Sequence, residues 1–294
     1  MNMNGCESVV LRDGRELAYQ QYGDLSGAAL LVFHGLPGCR LQAALLDEPA
    51  CRLGVRLIAA DRPGVGCSSP NPQRSILSWS EDVEQLADHL GLARFGVLGI
   101  SCGGPYALAC GLRLSHRVSF VGTVAGMGVM DVPALRRAQH PALKLLFGLA
   151  RLHPRLTTPM LALDRRLFLR DPSAAVRQLA GLMTEPDRRF VQQQVQLADA
   201  FARALAEAYR PGIAGVQQEV RLIARPRGFA LAEIGMPVHV YQGGQDRNVP
   251  PVMAEHMAGA LATARYRFFP DEGHLSIVWN CAGVFLTDFL VAHG

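Results

Sequence analysis

No stretch of this 294-residue chain approaches the roughly 18 consecutive apolar residues that cross a bilayer, so no membrane span is expected. The opening MNMNGCESVV has neither a basic start nor an apolar core, which argues against a secretory signal and for a cytoplasmic location. Charged residues are sparse at 18%, and with 49% hydrophobic residues this composition excludes a disordered chain. Lys144 is the only lysine. No CxxC pair occurs, and the seven cysteines (6, 39, 51, 67, 102, 110 and 281) are odd in number. That pattern fits buried reduced thiols better than a disulfide framework or a zinc site. Internal repeats and low-complexity tracts are missing, and no basic cluster is interleaved with aromatics, so a nucleic-acid partner is not expected.

What remains is a chain long enough to bury a full core, best read as one large domain with an insertion. Its charge is uneven. Residues 131–227 hold 16 basic and 8 acidic side chains, while the remainder is net negative. Solvated helix faces are the ordinary reason for such a bias; a preference for anionic substrates or surfaces is the alternative.

Alternating patterns organise the chain. Residues 8–24 read as a hairpin around Asp13-Gly14, a strong turn dipeptide. Residues 28–33 form a continuous apolar run, as a buried parallel strand should. A helix over 41–53, a strand over 55–60, and a helix opened by a Ser78/Glu81 capping box and stopped at Gly91 follow. Next come a strand over 94–100, a helix over 106–114 and a strand over 118–124. From 131 to 227 the sequence is rich in Ala, Leu and Arg and punctuated by prolines, with helical spacing such as Phe190, Val191, Val195 and Ala198. Strand–helix alternation then returns, with strands at 238–242 and 264–269 and helices at 251–261 and 282–291. The expected fold is α/β: a mainly parallel eight-stranded sheet with helices on both faces. Residues 1–130 and 228–294 supply the core, and 131–227 an all-helical cap.

The segment Val97-Leu98-Gly99-Ile100-Ser101-Cys102-Gly103-Gly104 places a serine between an apolar strand and a helix. A serine on so sharp a turn needs tiny neighbours two positions either side, which Gly99 and Gly103 supply. Cys102 is best read as a small residue whose backbone matters more than its sulfur.

A serine hydroxyl needs a base. Of nine histidines, only His274 follows the last strand in a short glycine-containing loop, Pro270-Asp271-Glu272-Gly273-His274. In a parallel sheet such loops gather at the carboxyl ends, where ligands bind. Asp246 follows the preceding strand in the same way and gives the order serine, acid, histidine. The plainer role for Asp246 is to shape its turn, and Asp131 is the alternative acid. Backbone donors for an oxyanion are expected at Cys102 and, in His34-Gly35-Leu36-Pro37-Gly38, at Leu36. His34 is expected to support that loop by hydrogen bonding.

Taken together these motifs resemble the α/β-hydrolase fold superfamily over nearly the whole chain. The loop 34–38 is similar to the family's HGxPG loop, 99–103 to its nucleophile elbow, and Asp61-Arg62-Pro63-Gly64-Val65-Gly66-Cys67-Ser68 to its D-x-x-G-x-G-x-S turn. Asp246 and His274 match its later acid and base. The resemblance implies a serine hydrolase, of carboxylesterase type, that acts on a small-molecule substrate through an acyl-enzyme and needs no cofactor or metal. Amide or carbon–carbon bond hydrolysis by the same residues, and a non-catalytic receptor on the same fold, are the alternatives. An aminopeptidase would need an acid in the insert to hold a free amine, and Glu185, Asp187, Glu207 and Glu219 are available. The oligomeric state has no signature in the sequence.

Overall fold

The apolar runs of the sequence pair into one sheet in the computed structural model, which describes residues 6–128, 130 and 132–294. Its strands are β1 (Glu7–Val10), β2 (Glu16–Gly23), β3 (Ala28–Phe33), β4 (Val55–Ala60), β5 (Phe95–Ile100), β6 (Val118–Val124), β7 (Val238–Gly243) and β8 (Ala264–Phe269). They lie in the order β1-β2-β4-β3-β5-β6-β7-β8. The two pairs made by β2 are antiparallel and all the others parallel. This is the mainly parallel sheet the alternation implied.

The helices α1 (Asp47–Leu53), α2 (Trp79–His89) and α3 (Gly104–Arg113) connect the first six strands. Among the described residues seven more separate β6 from β7: α4 (Pro133–Ala138), α5 (Pro141–Leu152), α6 (Thr158–Arg170), α7 (Pro172–Ala180), α8 (Glu185–Gln193), α9 (Val195–Tyr209) and α10 (Ala214–Ile223). Five of these carry a proline in their first turn, where its missing N–H is no loss. Then follow α11 (Pro251–Ala260), α12 (Ser276–Asn280) and α13 (Ala282–His293). Among the described residues no helix is long and apolar enough to cross a membrane.

Both faces of the sheet are covered. Gly111 of α3 packs against Val121, whereas Phe289 of α13 meets Phe120, on the opposite side, edge-on at 5.8 Å. Successive residues of a strand point to opposite faces, so this alternation alone places the two helices apart. The parallel register pairs Phe33 with Gly99, Ile100 with Val124, Val124 with Tyr241, and Gly243 with Phe269. The strands therefore end together, and the loops after β3, β5, β6, β7 and β8 leave along one edge.

Four local expectations are corrected. The helix foreseen over 41–53 is split into a 3₁₀ segment, Arg40–Leu46, and α1. Pro49 has no N–H to donate back to residue 45, so one regular helix cannot run through. The Ser78/Glu81 capping box is not formed: the Ser78 hydroxyl donates to the Ser75 carbonyl at 3.2 Å, back toward the preceding turn. The helix α12, immediately after His274, was not anticipated. Finally, the cysteines are not all reduced, because Cys6 and Cys67 are joined as a disulfide across 61 residues of chain. No short-range pattern announces such a pair. Cys39, Cys102, Cys110 and Cys281 are buried free thiols.

The turn after β5 is as tight as its glycines suggested. A side-chain carbon on Gly103 would collide with the backbone oxygen of Phe33, and one on Gly99 with the backbone of Gly103 and Gly104. Backbone atoms cannot yield as a flexible side chain does. Gly103→Ala is therefore expected to cost about 3 kcal/mol, the upper end of ordinary overpacking. Urea unfolding checks this, and a variant as stable as wild type would show that the turn has room to spare.

Candidate active site

Ser101 opens the turn after β5 with φ 53°, a left-handed conformation that a serine adopts only under constraint. Its carbonyl accepts from Met127 N at 2.9 Å in the loop after β6, and the residue is 6% exposed. The neighbouring Cys102 thiol is pushed up to about 12 by burial, so it is an inert sulfur at neutral pH.

The loops after β7 and β8 bring Asp246 and His274 together. Asp246 Oδ2 lies 2.7 Å from His274 Nδ1. A carboxylate can only accept, so Nδ1 carries a proton, and in the neutral ring Nε2 keeps its lone pair. The other oxygen, Asp246 Oδ1, accepts from Asn248 N at 2.8 Å and Val249 N at 2.9 Å. One side chain thus meets its own turn through one oxygen and the His274 ring through the other. Burial pulls the His274 imidazole down, but the charge and hydrogen bond of Asp246, with the charge of Asp187, outweigh it and leave it raised. No hydrogen bond joins Ser101 to His274 in this structure; such bonds commonly tighten only around a substrate. Glu272 turns away to Ser276 and Asn280. Asp131 lies outside the described residues.

The 34–38 loop runs beside the serine: a side-chain carbon on Gly35 would sit 3.4 Å from Ser101 Cβ. The Gly35 N–H donates to Gln42 Oε1 at 2.6 Å. His34 is fully enclosed, and burial with the nearby Arg62 charge holds its pKa well down, so the ring is neutral. It bridges Gly35 O (2.9 Å, from Nδ1) and Arg62 N (3.3 Å, at Nε2).

Sequence reasoning named Asp187 and Glu219 only as acids available to a substrate amine and missed the contacts they make with this region. Glu219, in α10, is 0% exposed and faces two arginines. Arg62 Nε donates to it at 2.8 Å, Tyr106 Oη at 2.8 Å, and Arg74 makes a close ion pair. Arg62 continues to the carbonyls of His34 (2.7 Å) and Gly35 (3.1 Å), with its guanidinium 4.7 Å from the Tyr106 ring centre. Asp187, in α8, accepts three backbone N–H groups of the histidine loop: His274 (3.0 Å), Leu275 (2.8 Å) and Ser276 (2.9 Å).

Every described acid of this helical segment is already engaged. Besides Asp187 and Glu219, Glu185 pairs with Arg188 and Arg189, and Glu207 with Arg40 and Arg210. Asp164 meets Tyr209, Asp171 caps Ala174, and Asp199 faces Arg177. The one grouping of metal-ligand type among the described residues, Cys6, Cys67 and Glu207, is likewise occupied. Its sulfurs are bonded to each other, and Arg40 and Arg210 beside them oppose a cation.

Burial raises the Glu219 carboxyl, but Arg62 and Arg74 outweigh it and hold the pKa at about 2. A lowered pKa contributes stability above the ordinary value of 4.5, which fades as pH falls through about 2. Glu219→Gln leaves two buried guanidinium groups uncompensated and is expected to cost about 3–5 kcal/mol at pH 7. The gap to wild type in urea midpoints should narrow as pH falls from 4.5 toward 2. A pH-independent gap would point to lost packing instead.

Comparison with known proteins matches residues 28–280 to the alpha/beta hydrolase fold family. A "dihydrolipoyllysine-residue acetyltransferase component of acetoin cleaving system" from Pseudomonas putida is 32% identical over 190 residues, 60% of this chain. The match spans only 50% of that longer protein. A "2-hydroxy-6-oxononadienedioate/2-hydroxy-6-oxononatrienedioate hydrolase 2" of Pseudomonas putida is 28% identical across 95% of this chain and 94% of its own. Among solved structures, a thermophilic esterase from Thermogutta terrifontis superposes with a TM-score of 0.71 at 20% identity, covering 98% of this chain and 99% of that one.

Proposed function

Because the chain belongs to the alpha/beta hydrolase fold family, we propose that it is a serine hydrolase of carboxylesterase type that cleaves a small to medium ester through an acyl-enzyme. The observation that carries this reading is the 2.7 Å Asp246–His274 pair on the edge where Ser101 is held at φ 53°. In this reading residues 131–227 are a helical cap over that edge.

Ser101 Oγ attacks the ester carbonyl while His274 Nε2 takes its proton, and Asp246 stabilises the imidazolium that results. The backbone N–H groups of Leu36 and Cys102 receive the oxyanion, each contributing about 3–4 kcal/mol to the transition state. Gly35 N–H is held by Gln42, whereas among the described residues Leu36 N–H has no partner, which supports Leu36 as the loop's donor. His274 then protonates the leaving alcohol. Water, activated by the same base, releases the acid. This chemistry requires neither metal nor organic cofactor.

The engaged state of the described cap acids argues against an aminopeptidase, since holding a substrate's ammonium would mean breaking an existing pair. Carbon–carbon bond hydrolysis is the second reading. It rests on the near full-length match to the Pseudomonas putida hydrolase and uses the same residues.

Turnover of p-nitrophenyl esters of increasing chain length, wild type beside Ser101→Ala, tests the proposal. The variant should lose on the order of 10⁴-fold in kcat with its melting temperature almost unchanged. Near-normal turnover in Ser101→Ala would falsify the assignment of the nucleophile.

The raised His274 pKa makes a further statement. A base with a raised pKa stays protonated to higher pH, so kcat/KM should fall on the acid side with a midpoint above 6.5, the ordinary histidine value. Asp246→Asn should lower kcat severely, by about 10⁴-fold, and move that midpoint down. A wild-type profile flat from pH 6 to 8 speaks against a histidine base with a raised pKa.

A further inference from the structure

The loop that carries His274 is held from outside the sheet. Both oxygens of Asp187 are engaged by it: Oδ2 accepts from His274 N, and Oδ1 from Leu275 N and Ser276 N. Thr184, at the start of α8, also meets Oδ2 at 3.1 Å. Asp187 is 5% exposed, so this is a buried carboxylate satisfied by four donors. Gly273 completes the fit, because a side-chain carbon there would collide with the Asp187 carboxylate. The acid belongs to the helical segment between β6 and β7, whereas the base belongs to the sheet. The loop's other ties run to its own neighbours and to the loop after β7: Gly273 N donates to Ser276 Oγ at 2.9 Å, Gln245 N to the Glu272 carbonyl at 2.9 Å, and Asp246 meets the His274 ring.

We propose that Asp187 is a positioning residue for His274, so that the base is aligned only while α8 is seated on the carboxyl edge of the sheet. The inference rests on the reading of His274 as the base. Three N–H bonds fix the backbone at 274–276 and thereby the direction in which the ring leaves it. The charge acts as well. Asp246, from the loop after β7, and Asp187, from α8, are the carboxylates that act on His274, while Glu272 of its own loop is taken by Ser276 and Asn280. A second negative charge close to the imidazole favours the imidazolium that forms during attack. Lifting α8 removes both effects at once. Movement of the insert to admit substrate would thus switch the base off, and reseating would switch it on, so chemistry would follow closure.

The test compares Asp187→Ala and Asp187→Asn with wild type and Ser101→Ala. The readouts are p-nitrophenyl acetate kinetics, the pH dependence of Ser101 labelling by a fluorophosphonate, and melting temperature. Asp187→Ala is expected to lower kcat by about 10²-fold with KM within about twofold, the scale of a misaligned general base. Asp187→Asn retains an oxygen for two of the three N–H groups and should lose about tenfold. In both, the midpoint of the labelling profile should move to lower pH, because a charge favouring the imidazolium is gone. A purely structural role would reduce melting temperature and the fraction of labelled protein while leaving the midpoint in place. An unmoved midpoint in Asp187→Asn overturns the inference alone, whatever happens to the alanine variant. If wild type is not labelled, or Ser101→Ala keeps full turnover, the serine-hydrolase reading falls and takes this inference with it.

Discussion

The Glu219 carboxylate is the point on which the rest of the structure turns. A fully buried carboxylate is unfavourable unless geometry and partners compensate for its lost hydration. Here Arg62, Arg74 and Tyr106 do so, and each comes from a different part of the sheet's surroundings. Arg62 lies just after β4, Arg74 in the loop that follows, and Tyr106 in α3 behind the serine turn. Because Arg62 also grips the carbonyls of His34 and Gly35, the path of the 34–38 loop depends on a charge delivered by α10. A peptide plane has two sides. Fixing the carbonyl of Gly35 fixes the N–H of Leu36, the proposed oxyanion donor.

Two other carboxylates repeat the arrangement. Glu207 of α9 reaches Arg40, which also pairs with the wholly buried Asp61 at 2.6 Å. Asp187 of α8 holds the histidine loop. The helical segment is therefore pinned to the sheet by three acids on three helices, each at a loop that leaves or flanks the carboxyl edge. Such pins contribute geometric specificity more than net stability, since the desolvation of each charge offsets much of its attraction. They also bear on the basic excess of 131–227. Asp187, Glu207 and Glu219 face inward and are neutralised in place, whereas Asp171 and Glu185 stay on the surface with most of the arginines.

What could be read in the sequence follows from how local each signal is. Strands such as β3 and β5 are buried on both faces and so appear as unbroken apolar runs. Ser101, Asp246 and His274 each stand a few residues past a strand in a loop rich in glycine, and the parallel sheet itself collects such loops at one edge. Gly99 and Gly103 were legible because a steric demand two residues either side of a serine is a local demand. The capping box failed for the opposite reason: Ser78 had a competing acceptor in Ser75, one turn upstream. Glu219, Asp187 and the Cys6–Cys67 pair act across 61 to 157 residues of chain. Nothing in the local pattern T-E-P-D-R-R distinguishes a residue that holds a distant loop from one that opens its own helix.

A tension at the serine gives these long-range contacts their importance. Ser101 is only 6% exposed, so a substrate reaches it by passing the elements around it. Water must also be restrained, because the hydrogen bonds proposed to stabilise the oxyanion are worth far more in a dry site than in bulk solvent. A rigid open cleft would satisfy access and lose the dry site; a permanently closed one would do the reverse. In the proposed arrangement, holding the histidine loop through α8 as well as through the loop after β7 resolves the conflict in one direction. On that proposal, while the insert is displaced the serine would be reachable but His274 would keep only its Asp246 contact. Once α8 is seated, the proposed base would be aligned and the water that entered with the substrate expelled. Activation would thereby be coupled to enclosure by three backbone hydrogen bonds, and those bonds are the ones a local sequence pattern has no means to announce.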